Sequence, residues 1–264
     1  MIKRKKALAA VIAAIIVILI SSVIVIYRGK YIVPFTFKVS YIDETSEKIP
    51  SNFNEVKILF LTDIEYGYLF NKEHISKLKT TINNLNVDIV LFGGDLFDKN
   101  YAPISSDVDI LTDLLSSIDA PLGKFAILGD FDFSSETREL LVKKILGDSN
   151  FEIIASEMKL YNNPTGYITL YGDNFGSHTI EQVSNETYSI VLLHGTETYK
   201  NLPVNVNLVL SGHTHDKQVN FFSKADYRFG KNKNLYRSRG IGLTEFDYRI
   251  FSSPELVVIT LKSK

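Results

Sequence analysis

Two histidines separated by one residue follow a short apolar segment and could bind a metal ion. The segment Leu208-Val-Leu-Ser211 leads through Gly212 into His213, Thr214 and His215. On extended backbone, residues i and i+2 point to the same side, so both imidazoles can face one pocket. Imidazole is a common metal ligand. Two exposed loop histidines would give the same pattern, so a metal site needs further ligands elsewhere in the chain.

Carboxylates and one more histidine supply those candidates, because they also follow apolar segments. A single acid at such a position is more often a turn former or a helix cap. Several carboxylates held close together raise one another's pKa and would destabilise a site that contained no cation. A mixed set of Asp and His suits a divalent transition metal such as Mn, Fe or Zn, and two ions about 3.5–4 Å apart that share a carboxylate can form a hydrolytic site. The candidates are Asp63 and Glu65, Asp95 and Asp98, Asp130 and Asp132, and His194.

The elements that must position these residues alternate between strand and helix in the first half of the chain. Apolar runs predict strands near 56–62, 88–93 and 124–128, and helical periodicity follows near 75–85, 108–118 and 135–146. This alternation indicates an α/β sheet with its site at the carboxyl ends of the strands. The second half predicts a second, mixed sheet with strands near 152–155, 167–171, 188–193, 206–210, 235–238 and 255–261.

An uncharged apolar stretch at residues 7–27 is typical of a membrane span, which needs about 20 residues. It is longer than the roughly 7–15 apolar residues of a cleaved signal peptide and lacks a small-residue cleavage site. We therefore predict a signal anchor at 7–27, between a cytoplasmic basic tail at 1–6 and a stalk with an edge strand at 28–44. The four basic residues at 3–6 predict a cytoplasmic N-terminus, with the following domain outside the cytoplasm.

Composition excludes two classes of site. The basic residues of the first thirty positions flank the apolar stretch, so the remainder is acidic although the whole chain has a net charge of only −1. An acidic domain argues against nucleic-acid binding, which uses a basic face. The chain has no cysteine, which excludes disulfides and thiolate metal sites.

In their order and spacing, these motifs resemble those of the calcineurin-like metallophosphoesterases, and the chain looks most like the membrane-anchored bacterial branch. The resemblance covers about residues 45–264 and implies an α/β fold: a two-sheet β-sandwich flanked by helices, behind one N-terminal transmembrane helix. The matching motifs are Asp63-Ile-Glu65, Gly94-Asp-Leu-Phe-Asp98, Gly129-Asp-Phe-Asp132, His194 and Gly212-His-Thr-His215.

The resemblance also implies two divalent metal ions, with Mn or Fe favoured and Zn or Mg as alternatives. One ion would be bound by Asp63, Glu65, Asp95 and His215. The other would be bound by Asp95, Asp130, His194 and His213, so Asp95 would bridge the two. Asp98 would orient the ligands from outside, as outer carboxylates do in metal sites.

Three positions depart from the family pattern. Glu65 replaces a histidine and Asp130 an asparagine, so four anionic ligands stand where the family has two. They would neutralise two divalent ions, weaken their Lewis acidity and favour harder ions such as Mn²⁺ or Mg²⁺. Phe131 replaces the histidine that contacts the scissile phosphate, and losing a general acid costs about 10²–10⁴ in rate. Tyr66 and Tyr68 are alternative donors.

Two functions remain open at this point. The first is a membrane-anchored phosphoesterase with weakened catalysis, acting on a phosphorylated small molecule, a lipid-linked phosphate or a cell-wall phosphate. The second is a catalytically degenerate relative that binds metal or a phosphorylated ligand. His74 and His178 lie outside every motif, and we interpret both as surface residues.

Overall fold

The computed structural model describes residues 2–154, 156–162, 166–173, 180–214, 218–220, 227–230 and 233–264. The α-helices in these ranges are α1 (Ile2–Tyr31), α2 (Lys72–Ile82), α3 (Ser105–Ser116) and α4 (Glu136–Asp148), and short 3-10 helices lie at Val33–Phe35, Ser51–Phe53 and Glu197–Asn201. The first strands are β1 (Lys38–Ser46), β2 (Lys57–Leu61), β3 (Ile89–Phe92), β4 (Gly123–Ala126), β5 (Phe151–Ile153) and β6 (Glu157–Tyr161). The remaining strands are β7 (Tyr167–Asp173), β8 (Ser189–Leu193), β9 (Leu208–Ser211), β10 (Tyr227–Gly230), β11 (Lys233–Arg237) and β12 (Glu255–Ser263).

The first sheet has the strand order β1-β12-β2-β3-β4-β5. Strands β2 to β5 are parallel to one another, whereas β12 is antiparallel to β2 and parallel to β1. Our assignment of the strands near 152–155 and 255–261 to the second sheet was therefore wrong. An apolar run specifies a buried strand but not its partner, and the C-terminal strand inserts between β1 and β2.

The second sheet has the order β10-β11-β9-β8-β7-β6. Strands β7, β8, β9 and β11 are parallel, and β6 and β10 pair antiparallel at the two edges. Sequence periodicity did not predict β6 or β10. Both are short, and alternating polar residues in β6 give it the exposed pattern of an edge strand.

The core lies between the two sheets, and a second apolar layer joins the first sheet to helices α2, α3 and α4. Side chains alternate along β2, so Ile58 and Phe60 enter the layer between the sheets while Leu59 and Leu61 pack on the helical side. Each such side chain contributes about 1.5–3 kcal/mol when it is fully buried. The expected two-sheet sandwich flanked by helices is confirmed.

Helix α1 is 30 residues long, or about 45 Å at 1.5 Å per residue. Its described side chains are largely exposed, and it is long and apolar enough to cross a membrane. Its C-terminal end contacts the domain, because the backbone N–H of Arg249 donates to the Gly29 carbonyl at 2.9 Å. Lys30 also pairs with Asp247 at 2.7 Å. The helix fits a single membrane span that is joined directly to the folded domain.

His74 is buried rather than on the surface, so that interpretation was wrong. Its ring stacks on Phe35 at 4.0 Å between centroids and lies 4.7 Å from Phe70. Phe35 comes from the segment after α1, a contact that the sequence pattern does not predict. Burial lowers the pKa of His74 to about 4. His178 lies outside the described residues.

Candidate metal centre

Four of the predicted ligands converge on one point. Nε2 of His194 lies 3.0 Å from Asp95 Oδ2, 3.0 Å from Asp130 Oδ1 and 3.1 Å from Nδ1 of His213. Two ligands that each bind one ion at about 2.0–2.2 Å are themselves about 3–3.5 Å apart. The separations therefore match those of ligands around a single cation. Within the described residues, this is the one group of carboxylates and histidines whose ligand atoms all lie within 4.8 Å of one another.

The topology explains why these residues meet. Strands β3 and β4 are parallel neighbours in the first sheet, and their carboxyl ends lead into Asp95 and Asp130. Strands β8 and β9 are parallel neighbours in the second sheet and lead into His194 and His213. The sandwich brings the two pairs of strand ends together at one edge, as the sequence predicted.

His194 is oriented by the chain around it. Its Nδ1 lies 2.8 Å from the Gly93 carbonyl oxygen, which can accept only from a protonated nitrogen. We therefore assign a hydrogen to Nδ1, which leaves Nε2 facing the carboxylates and His213 as the nitrogen that could bind a cation. A histidine ligand is commonly fixed in this way by a partner of its second nitrogen.

The electrostatics of the cluster favour a shared positive charge. Burial works to lower the pKa of His194, but the carboxylates of Asp95 and Asp130 raise it well above its usual value. Burial raises the pKa of Asp95, and His194 acts against that shift. Burial also tends to raise the pKa of Asp130, but hydrogen bonds from His194 and His213 lower it overall. A cation that bound here would displace the protons that His194 otherwise holds.

The other predicted ligands, Asp63 and Glu65, lie beside this cluster and are both buried. Asp63 Oδ1 is 4.0 Å from Nε2 of His194 and accepts the backbone N–H of His213 at 3.0 Å. The backbone N–H of Glu65 donates to the Asp95 carbonyl at 3.0 Å. His215 lies outside the described residues, so the ligand set of a second ion stays a prediction.

Arg249 is a neighbour of this part of the site that sequence reasoning missed. It is fully buried, and its guanidinium donates to the carbonyls of Gly242, Arg239 and Ser252. Burial lowers its pKa to about 10, while the charges of Glu65 and Asp63 oppose that shift. The additional anion at Glu65 is therefore accompanied by a buried cation, which the count of ligand charges did not include. In the sequence, its position in the C-terminal tail was the only feature that could have indicated a place near the site.

Left-handed backbone is concentrated in the site. Of the seven described non-glycine residues with positive φ, four are predicted ligands. Such residues are uncommon outside glycine and cost about 1–3 kcal/mol each, so they persist only where the surrounding structure holds them. The four are Asp63 (φ 56°), Glu65 (φ 45°), Asp95 (φ 57°) and His213 (φ 66°).

Close packing against the carboxylates explains two of the motif glycines. A Cβ atom at Gly129 would lie 2.1 Å from Oδ1 of Asp95, and one at Gly212 would lie 2.2 Å from Oδ2 of Asp63. No side chain fits at either position without moving a candidate ligand. These glycines allow the backbone of one motif to lie against the carboxylate of another.

Asp132 holds the loops of the site together, although we had named it from the sequence only as a candidate, without giving it a role. Its Oδ2 accepts the backbone N–H groups of Asp95 at 2.8 Å and Gly129 at 2.9 Å. Its Oδ1 accepts the N–H of Leu96 at 3.0 Å. Asp132 thus fixes the loop that presents Asp95 against the loop that presents Asp130. Its position two residues after Asp130 was the signal that could have identified it.

Asp98 makes different contacts from those expected. Its carboxylate accepts the backbone N–H of Asn100 at 2.8 Å, which closes a local turn, and its carbonyl accepts from Arg138 at 2.8 Å. It is not a member of the converging group of four. Its predicted role in orienting the ligands stays a prediction.

A cleft of about 430 Å³ adjoins the cluster. Phe131 lines it, and the ammonium of Lys99 lies 5.6 Å from the centroid of that ring. Tyr66 does not act as a proton donor in place of the family's histidine, because its buried hydroxyl donates to Asp107 at 3.0 Å. The ring of Tyr68 packs on Tyr101 and is largely exposed. The further residues that line the cleft are His213, Thr214, Gln218, Val219, Thr244, Glu245 and Phe246.

Residues 56–217 match the profile of the calcineurin-like phosphoesterases. The chain belongs to this family. Among its relatives, the metallophosphoesterase YkuE of Bacillus subtilis is 25% identical over 258 residues, covering 89% of each chain. A metallophosphoesterase of Aquifex aeolicus is 26% identical over 243 residues, covering 83% of this chain and 89% of the relative. A protein of Danio rerio named as a transmembrane protein with a metallophosphoesterase domain is 24% identical, covering 85% of this chain and 57% of the relative.

Membership places this phosphoesterase in a metal-dependent class of hydrolases. The donor set of the converging group fits that requirement, because two carboxylate oxygens and two imidazole nitrogens meet at the separations that one cation imposes. The N-terminal apolar helix also agrees with relatives that are named as transmembrane proteins.

Proposed function

We propose that this protein is a membrane-anchored metallophosphoesterase that hydrolyses a phosphate ester or a pyrophosphate outside the cytoplasm, with weakened catalysis. The observation that carries the proposal is the convergence of Asp95, Asp130, His194 and His213 on one point. Family membership supports the hydrolytic chemistry. The proposed domains are the basic tail 1–6, the anchor 7–27, the stalk and edge strand 28–44, and the metallophosphoesterase domain 45–264.

The proposed ligands are the seven residues that the motifs indicate. His194, His213, Asp130 and Asp95 would hold one divalent ion, and Asp95, Asp63, Glu65 and His215 would hold a second. When bound, such ions supply Lewis-acid chemistry, which polarises a phosphoryl oxygen and makes water more acidic. This mixed set of four carboxylates and three histidines favours Mn or Fe, with Zn or Mg as alternatives.

Phe131 and Lys99 are the remaining residues of the site that bear on the proposed chemistry. The backbone N–H of Phe131 donates to Asp95 Oδ1 at 3.0 Å, which turns the other oxygen toward the histidines. The Phe131 ring occupies the family's histidine position and has no proton to donate. The ammonium of Lys99, which lies 5.6 Å from the centroid of that ring, would place a positive charge near a phosphate in the cleft. Without a donor at position 131, the leaving group must depart as an anion or take its proton from solvent, which favours phosphoanhydrides and aryl phosphates.

The basic residues ahead of the anchor support a cytoplasmic N-terminus and an extracytoplasmic domain. The second candidate function, a binding protein that retains metal without turnover, is favoured by one observation, the phenylalanine at position 131. It predicts that metal binds but that no phosphate ester or anhydride is hydrolysed.

The test is hydrolysis of para-nitrophenyl phosphate and bis-para-nitrophenyl phosphate by the full chain in detergent with Mn²⁺. Asp95→Asn is the test variant, and Asp109→Asn on the exposed face of α3 is the matched control. We expect turnover in the wild type and in the control, and a loss of at least about 10²-fold in Asp95→Asn. Metal binding without turnover in the wild type would reject the enzyme and favour the binding protein.

A further inference from the structure

The end of the membrane helix and one wall of the cleft are parts of the same contact. We call residues 244–251 the wall segment. In this segment, the backbone N–H of Arg249 donates to the Gly29 carbonyl, and the carboxylate of Asp247 forms an ion pair with Lys30. A Cβ atom at Gly29 would lie 2.8 Å from the Ile250 side chain, so α1 and the wall segment are in direct packing contact.

Gln218 fastens the wall segment to the cleft. Its side-chain oxygen accepts the backbone N–H groups of Thr244 and Glu245, and its side-chain nitrogen donates to the carbonyls of Phe246 and Tyr248. Gln218 is itself buried and lines the cleft. The distance between the membrane helix and the candidate site is therefore spanned by one continuous, hydrogen-bonded segment.

The wall segment has exposed aromatic side chains close to the C-terminal end of α1, where the apolar stretch ends. Phe251 is 61% exposed and Phe246 is 43% exposed. Tyr27 and Tyr31, at the end of α1, are each 58% exposed. Aromatic residues of this kind are enriched where a protein meets the head-group layer of a bilayer. Because Gly29 touches residues 249–250, the wall segment must lie at the same depth as the end of the span.

We propose that the wall segment rests on the bilayer surface and that the substrate is a phosphorylated lipid, whose head group enters the cleft past Phe246. This inference rests on the proposed function. The occupant of the aromatic surface is the bilayer, because that surface continues directly from the membrane helix. The absence of a proton donor at Phe131 narrows the head group to a pyrophosphate, since its phosphate leaving group departs more readily than an alkoxide.

The reaction for such a lipid is an ordinary hydrolysis. Water adds to the terminal phosphorus, and the bond from that phosphorus to the bridging oxygen breaks. The electron pair of that bond stays with the oxygen of the lipid monophosphate, the other product is inorganic phosphate, and the excess proton passes to solvent. No oxidant or further reactant is required.

Fluorescence quenching tests the position of the wall segment. The chain contains no tryptophan, so Phe251→Trp introduces a single indole in the segment. Tyr161→Trp is the matched control, because Tyr161 is also 61% exposed. It pairs with Tyr167 at the amino end of β7, whereas His194 lies at the carboxyl ends of the strands of this sheet. With the full chain in phosphatidylcholine vesicles, brominated lipid should quench the first indole and not the second. Equal quenching, or none at position 251, would overturn the proposal.

Turnover tests the substrate class. Geranylgeranyl pyrophosphate in phosphatidylcholine vesicles is the lipid probe, and para-nitrophenyl phosphate is the soluble probe. Phe251→Asn tolerates the positive φ at this position, because Asn adopts such backbone readily. We expect it to lower turnover of the lipid probe at least about tenfold by weakening bilayer contact, with the soluble probe and the Tyr161→Asn control unchanged. An equal loss on both probes, or no loss on the lipid probe, would overturn the proposal.

The two proposals fail differently. If neither probe is hydrolysed but the indole at position 251 is quenched by brominated lipid, the proposed function fails and the bilayer contact stands. If the soluble probe is hydrolysed and the lipid probe is not, the proposed function stands and the lipid substrate is rejected.

Discussion

Asp132→Asn should destabilise the protein because it disturbs the hydrogen bonds that join two loops of the site. The carboxylate of Asp132 accepts three backbone N–H groups, from Asp95, Leu96 and Gly129, at 2.8–3.0 Å. An amide offers one oxygen and one NH₂ group in the same space. If its oxygen takes the place of Oδ2, two bonds remain, and the N–H of Leu96 then faces another donor.

The magnitude follows from the number and kind of bonds lost. A hydrogen bond to a charged group contributes about 1.5–3 kcal/mol, so losing one costs that amount. The charge of Asp132 also raises the pKa of Asp95, and removing that repulsion returns part of the loss. We expect the free energy of unfolding to fall by about 1–3 kcal/mol for Asp132→Asn. Asp132→Ala, which removes all three bonds, should cost about 4 kcal/mol or more.

Urea unfolding of the metal-free full chain in detergent measures this difference. Asp98→Asn is the control, because the Asp98 carboxylate accepts one backbone N–H, within a local turn. Because the amide oxygen of Asn can still accept that N–H, the control should cost less than about 1 kcal/mol. A midpoint for Asp132→Asn equal to that of the wild type, or above that of the control, would refute the account of how the two loops are held.

Three further predictions concern other parts of the molecule. Arg249→Lys keeps the charge but loses the forked donors that hold the carbonyls of Gly242 and Arg239. In urea unfolding it should lower the free energy of unfolding by about 2–4 kcal/mol. An unchanged urea midpoint would contradict this. His74, with a folded pKa of about 4 below its unfolded value, binds a proton more tightly in the unfolded chain, so its contribution to stability is complete above about pH 6.5 and is lost as pH falls toward 4. His74→Phe should therefore lose less stability than the wild type between pH 7 and pH 5 in urea unfolding, and an equal loss would contradict the assignment. Phe131→His should raise kcat on an alkyl phosphate by about 10²-fold or more and less on an aryl phosphate; an equal gain on both would argue against a missing proton donor.

The residues of the converging group could be predicted from sequence as candidate ligands because each follows an apolar strand. Asp95, Asp130, His194 and His213 follow the ends of β3, β4, β8 and β9 by three, four, one and two residues. Parallel neighbouring strands bring such positions to one edge of a sheet, so local pattern and topology lead to the same site.

Contacts that depend on distant segments could not be predicted in this way. The insertion of β12 between β1 and β2 is set by pairing across the whole chain. His74 is buried because Phe35, almost forty positions earlier in the chain, stacks on it. Arg249 lies in a segment without regular periodicity, and only the folded chain brings its charge near Glu65.

The role of Asp132 was missed for a different reason. Its neighbour Asp130 was interpreted as a ligand, and a second acid two residues later had no assigned partner. The backbone N–H groups that it binds belong to Asp95, Leu96 and Gly129, and backbone groups leave no trace in side-chain patterns. Sequence reasoning therefore identified the candidate ligands more completely than the residues that hold them.

The most direct test of the central claim is a titration of the metal-free full chain with Mn²⁺, with bound metal and hydrolysis of bis-para-nitrophenyl phosphate followed in the same samples. We expect turnover to rise with metal occupancy, and we expect Asp95→Asn to lose both metal and turnover while Asp109→Asn keeps both. Metal that binds to the wild type without turnover, or turnover that persists in Asp95→Asn, would contradict it.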